Sequence, residues 1–170
     1  FLLEGAAAEI NLAQAAILTG NITTSVAGTG ILDVDANSSV VGSIGTTSTK
    51  IGAVEIADGV TLTVDATGGN AVLNATSVVI GDTAGLNAGL TIAPQANDVT
   101  VLTNITTANA AQGLVTVQDT GTVTFAADLG TSATNEIGAL DVGDGTLSAS
   151  VVTQGNVYVD AINIADESTL

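Results

Sequence analysis

A chain of 170 residues is long enough for one domain with a sizeable core. Lys50 is its only basic residue against 17 acidic ones, and the formal charge of −16 argues against nucleic acid and anionic membrane surfaces as partners. With no His and no Cys, the usual neutral-pH general base, every thiol nucleophile, any disulfide and the common zinc sites are missing.

Hydrophobic residues make up 46% of the chain but aromatics only 2%, so Val, Ile, Leu and Ala must fill the core. Small and β-branched side chains suit stacked strands whose pleats repeat at a fixed spacing. No Met occurs, even at position 1, and no basic segment precedes Phe1-Leu2-Leu3. The expectation is an excerpt of a longer chain, without an intact signal peptide. No run of 18 apolar residues is present, so no transmembrane helix and no membrane insertion are expected.

In chain order, the first 18 residues are rich in alanine and helical by propensity. Ile10-Asn11-Leu12-Ala13 nevertheless aligns with Leu90-Thr91-Ile92-Ala93, which favours a degenerate β-coil. A short unit then recurs: apolar, any, apolar, any, usually Asp, then a turn. Its copies begin at Leu32, Val54, Val78, Val115, Leu140 and Ile162, at spacings of 22, 24, 37, 25 and 22 residues. Alternation with period 2 marks a half-buried strand.

A second strand follows the turn at Val60–Val64, Leu90–Ile92 and Thr122–Phe125. A third, shorter one is expected at Val72-Leu73, with counterparts at Leu18, Leu102 and Tyr158-Val159. Two or three short strands in coils of about 22–25 residues predict an all-β fold, a right-handed parallel β-helix. The 37-residue gap holds an extra loop or an extra coil. Asp82 to Gly89 reads as a protruding loop, and Pro94, unable to donate to a ladder, sits in the same irregular stretch.

Over a longer range, residues 17–82 are echoed by 101–166 at offsets of 83 to 86 residues. Ile51-Gly52-Ala53-Val54-Glu55-Ile56 returns as Ile137-Gly138-Ala139-Leu140-Asp141-Val142. The chain is thus one solenoid segment, 1–170, with a long repeat at 17–100 and an incomplete second copy at 101–170.

Asp58, Asp82, Asp119, Asp144 and Asp166 occupy the same place in the short unit. In coils stacked in register they would stand about 4.8 Å apart. Two roles fit them: each favours its own turn and stays solvated, or Ca²⁺ bridges some of them with carbonyl oxygens. No other cofactor is required. Thr-x-Thr pairs do not fall at one position of every coil, so strand propensity explains them better than a flat ice-binding array. Asn21, Asn37, Asn74 and Asn104 begin glycosylation sequons, with stacked Asn ladders as the alternative.

Units such as Val54-Glu55-Ile56-Ala57-Asp58-Gly59-Val60-Thr61-Leu62-Thr63-Val64, spaced by Gly-Asn and Gly-Thr turns, resemble passenger regions of bacterial autotransporter surface proteins. The texture is similar to that of the rickettsial outer-membrane surface antigens and is shared by surface-layer and adhesin stalk proteins. The resemblance implies a non-enzymatic rod displayed outside a bacterial cell, as stalk, adhesin passenger or surface-assembly subunit. Its partners would be further copies of itself or a receptor on a host or neighbouring cell. The alternative is a carbohydrate-binding or polysaccharide-cleaving β-helix working through paired carboxylates.

Overall fold

The computed structural model describes residues 1–81, 88–132, 135–165 and 167–170. Strand β1 (Leu2–Leu3) opens the chain. The first coil runs through β2 (Glu9–Leu12), β3 (Ile17–Thr19) and β4 (Thr23–Thr24). The second holds β5 (Thr29–Val34) and β6 (Ser38–Val41), and the third β7 (Ile51–Ile56), β8 (Thr61–Asp65) and β9 (Ala71–Leu73). Strands β10 (Ala75–Ile80), β11 (Gly89–Ala93) and β12 (Asp98–Val101) make the fourth. The fifth holds β13 (Ile105–Thr107), β14 (Gln112–Val117) and β15 (Thr122–Phe125). Strands β16 (Ile137–Val142), β17 (Ser150–Thr153) and β18 (Val159–Ile164) follow. Among the described residues there is no helix, so the alanine-rich start is a β-coil.

Every strand pairs in parallel with its counterpart one coil away, giving a β-solenoid with three faces. Face one stacks β2, β5, β7, β10 and β13. Face two, the longest, stacks β3, β6, β8, β11, β14, β16 and β18. Face three stacks β9, β12, β15 and β17. Isolated bridges extend the shorter faces. Ile22 and Ile44 carry face three back towards β4 and β1, while Leu129 and Val157 carry face one beyond β13.

Alternation decides which residues enter. On face two the inward column is Leu18, Val40, Val64, Ile92, Val117, Val142 and Ile164. Its intervals give coil lengths of 22, 24, 28, 25, 25 and 22 residues, a wider range than the expected 22–25. The 28-residue interval, Val64 to Ile92, ends before Pro94 and contains the expected Asp82 to Gly89 loop, of which residues 82–87 lie outside the described residues. Leu32, Val54, Val78 and Ile105 make the matching column on face one, each with no exposed surface. Burying each such side chain stabilises the fold by about 1.5–3 kcal/mol. Of the expected third strands, β9 and β3 are present; Leu102 lies between β12 and β13, and Tyr158 just precedes β18.

The duplication has a geometry that spacing alone did not show. Strand β5 matches β14, β7 matches β16 and β10 matches β18, but the first of each pair lies on face one and the second on face two. Likewise β6 on face two matches β15 on face three, and the Ile44 bridge on face three matches the Leu129 bridge on face one. The repeat therefore advances three coils plus one face. The 37-residue gap has the same cause: Val78 belongs to face one and Val115 to face two, so the gap spans one coil and one further face.

Backbone groups at the corners need partners from neighbouring coils. Thr103, buried between β12 and β13, supplies two: its Oγ1 accepts from Ala75 N at 2.7 Å and donates to Ala75 O at 2.9 Å. Thr103→Val keeps the shape and strands both Ala75 groups. The expected loss is about 1–3 kcal/mol, read as a lower urea midpoint at unchanged slope.

Candidate functional site

Face one carries an acidic column. Asn11, Asp33 and Glu55 stack on successive rungs with side chains outward, and Asp35 follows at the end of β5. Asn11 Nδ2 donates to Asp33 Oδ2 at 2.8 Å and to Asp35 Oδ2 at 3.1 Å. Asp33, Asp35 and Glu55 line a recess of about 160 Å³, floored by Ile56, Val79 and Gly81. Partial burial raises the Asp33 carboxyl above its ordinary value; the charges of Asp35 and Glu9 push the same way, against the bond from Asn11. The three carboxyl groups and Asn11 thus place several hydrogen-bonding groups on one outward surface. Sequence reasoning did not single out Asp33, Asp35 and Glu55. The signal was there, because Asp33 and Glu55 are one 22-residue coil apart.

The five aspartates picked out by sequence do not form one column. Asp58 follows β7 at the end of face one, and its Oδ1 packs against Gly81 of the next coil. Asp119 and Asp144 follow β14 and β16 at the end of face two. Asp82 and Asp166 lie outside the described residues. The division follows from the one-face step between the two repeats. Among the described residues, no group of three or more carboxylates is arranged to hold a metal ion.

Asp119 and Asp144 behave oppositely. Burial first, then the charges of Asp144 and Asp65, raise the Asp119 carboxyl; Gln95 Nε2 donates to its Oδ2 at 2.8 Å. Asp144 is held down to about 2 by the Thr146 hydroxyl and by the backbone N–H groups of Leu147 and Thr146. That is the turn-stabilising role foreseen for these residues.

A lowered folded pKa means that the Asp144 contribution is complete above its ordinary value of 3.8 and is lost as pH falls towards about 2. Asp144→Ala should therefore lower the melting temperature at pH 7. The gap from the parent chain should narrow as both are melted at pH values falling through this window.

The sequon asparagines are structural brackets. Asn21, Asn37 and Asn104 accept through Oδ1 from the backbone N–H of Ser43, Thr61 and Asp128 one coil on, at 2.9, 2.8 and 3.0 Å. Asn74 Nδ2 donates to Thr46 O at 2.6 Å. On face two, Thr63, Thr91 and Thr116 stack as one outward column that ends in Asp141 and Asn163. It is one column, not the paired array of an ice-binding plane.

No family model, curated protein or solved structure matches the chain.

Proposed function

We propose that the chain is a non-enzymatic structural or adhesive rod working outside a bacterial cell, as a displayed stalk, passenger or surface-assembly subunit. The observation that carries this reading is the uninterrupted aliphatic column running the length of face two, closed on three sides by hydrogen-bonded sheets. Such a section resists bending and presents side chains at a fixed spacing. The charge of −16 supports it further, since like-charged rods stay dispersed side by side. Electron microscopy and a cell-binding assay on the purified chain test the reading. Straight rods or filaments that bind cells or one another are expected; compact particles without either property would refute it.

The acidic recess favours one other reading, a carbohydrate-binding or polysaccharide-cleaving β-helix in which Asp33, Asp35 and Glu55 serve as the paired carboxylates. A glycan array with a hydrolysis assay on the parent chain and on Asp33→Asn decides between them. Turnover abolished by the substitution would overturn the rod.

A further inference from the structure

Lys50 is the one residue of this chain behind which a protease specific for Lys and Arg can cut. It is exposed and open to recognition. Hydrolysis would add water across the Lys50–Ile51 peptide bond and leave fragments 1–50 and 51–170. A protease of the trypsin class must hold the carbonyl oxygen of that bond in its oxyanion hole and deliver a proton to the leaving nitrogen. It also needs the flanking backbone extended and free to pair with its own.

In the fold each of those groups is engaged. Lys50 O accepts from Gly28 N at 2.8 Å on one side, and Ile51 N donates to Asn74 O at 3.1 Å on the other. Ile51 has no exposed surface and pairs with both Thr29 and Ala75, because β7 is an inner strand of face one, between β5 and β10. The turn before Lys50 is closed as well: Thr46 N donates to Thr49 O at 2.8 Å, and Thr49 N donates to Thr46 Oγ1 at 2.8 Å. Asn74 Nδ2 ties the same turn down through Thr46 O at 2.6 Å.

The second repeat builds the same clamp around Glu136 and Ile137. Glu136 O accepts from Ala111 N, and Ile137 N donates to Tyr158 O, each at 3.0 Å. The clamp therefore belongs to the repeat, and a lysine stands at it only in the first copy.

We infer that the folded chain is refractory to proteases of the trypsin class although it displays a lysine to them, and that cleavage waits for the coils on either side of β7 to part. Opening must free Lys50 O from Gly28 and Ile51 N from Asn74 together. A solenoid opens locally, so the cleavage rate reports the coils around β7 and not the whole chain. This shielding is independent of whether the chain serves as a rod or binds carbohydrate.

The test is trypsin added to the folded parent chain, with a free peptide of residues 44–56 as the unshielded bond. The peptide should be cut while the chain keeps its full mass; cleavage of the folded chain at the peptide's rate would overturn the inference. Gly45→Ala and Gly130→Ala then separate local from global opening. Each pushes on the clamp's carbonyl, at Asn74 and at Tyr158, but only the first does so beside the lysine. Cleavage at Lys50 should be roughly tenfold or more faster in Gly45→Ala than in Gly130→Ala, because it follows the population of the opened form. Equal rates in the two variants would tie cleavage to global unfolding and overturn the local clamp. If Gly45→Ala does not fold, the comparison of parent chain with peptide decides by itself.

Discussion

Phe125→Ala is expected to destabilise the chain by about 3–5 kcal/mol, the usual range for emptying a buried aromatic site. Phe125 is the largest fully buried side chain, 1% exposed, at the inner end of β15. It stacks on Val101 and through it on Leu73, and both are fully buried. The matching residue of the first repeat is Val40 on β6, so Phe125→Val installs what the other copy already carries. That substitution should cost distinctly less. In a solenoid the damage stays near the affected coils. Urea denaturation should therefore show a lower midpoint, with amide exchange speeding up first in β15 and β17 and least in β2 and β5.

Gly45→Ala and Gly130→Ala should each cost about 2–5 kcal/mol, combining left-handed backbone strain with a forced shift of the facing coil. The two glycines match across the repeat and have φ of +77° and +76°. A Cβ on Gly45 would lie 2.1 Å from Asn74 O, and one on Gly130 2.3 Å from Tyr158 O. Those carbonyls accept from Ile51 N and Ile137 N, the bonds that start β7 and β16. Pushing either carbonyl away loosens the first rung of a six-residue strand. Gly68, with open space where a Cβ would stand, is the control: Gly68→Ala should leave the melting temperature nearly unchanged.

Much of the fold was legible because alternation fixes which side chains enter a strand, and a solenoid repeats that pattern at a nearly constant interval. Strand β15 falls at Thr122–Phe125 as expected, and the expected Val60–Val64 and Leu90–Ile92 strands appear as β8 and β11. The faces were not legible, because spacing counts residues along the chain and not turns around the axis. Val78 and Val115 carry the same motif on different faces, so a gap of one coil and one face looked like an inserted loop or coil. The same blindness placed five aspartates in one imagined column when the described ones divide between two corners. The acidic recess went unnoticed for a related reason: Asp33 and Glu55 become neighbours only once a 22-residue coil closes. Thr103 lacked any local signal, and the asparagines stood out only as sequons or ladders, since the partners of both are backbone groups of another coil.

The one-face step between repeats is tested most directly by two disulfide pairs in the monomeric chain. Val79→Cys with Thr106→Cys joins face-one strands that the step makes neighbours, both side chains pointing outward. Val79→Cys with Thr116→Cys joins the same strand to β14 on face two, where the next copy of the short motif lies. Rapid intramolecular closure of the first pair, with none in the second, is the predicted result. Closure of the Val79–Thr116 pair, with the Val79–Thr106 pair left reduced, would contradict it.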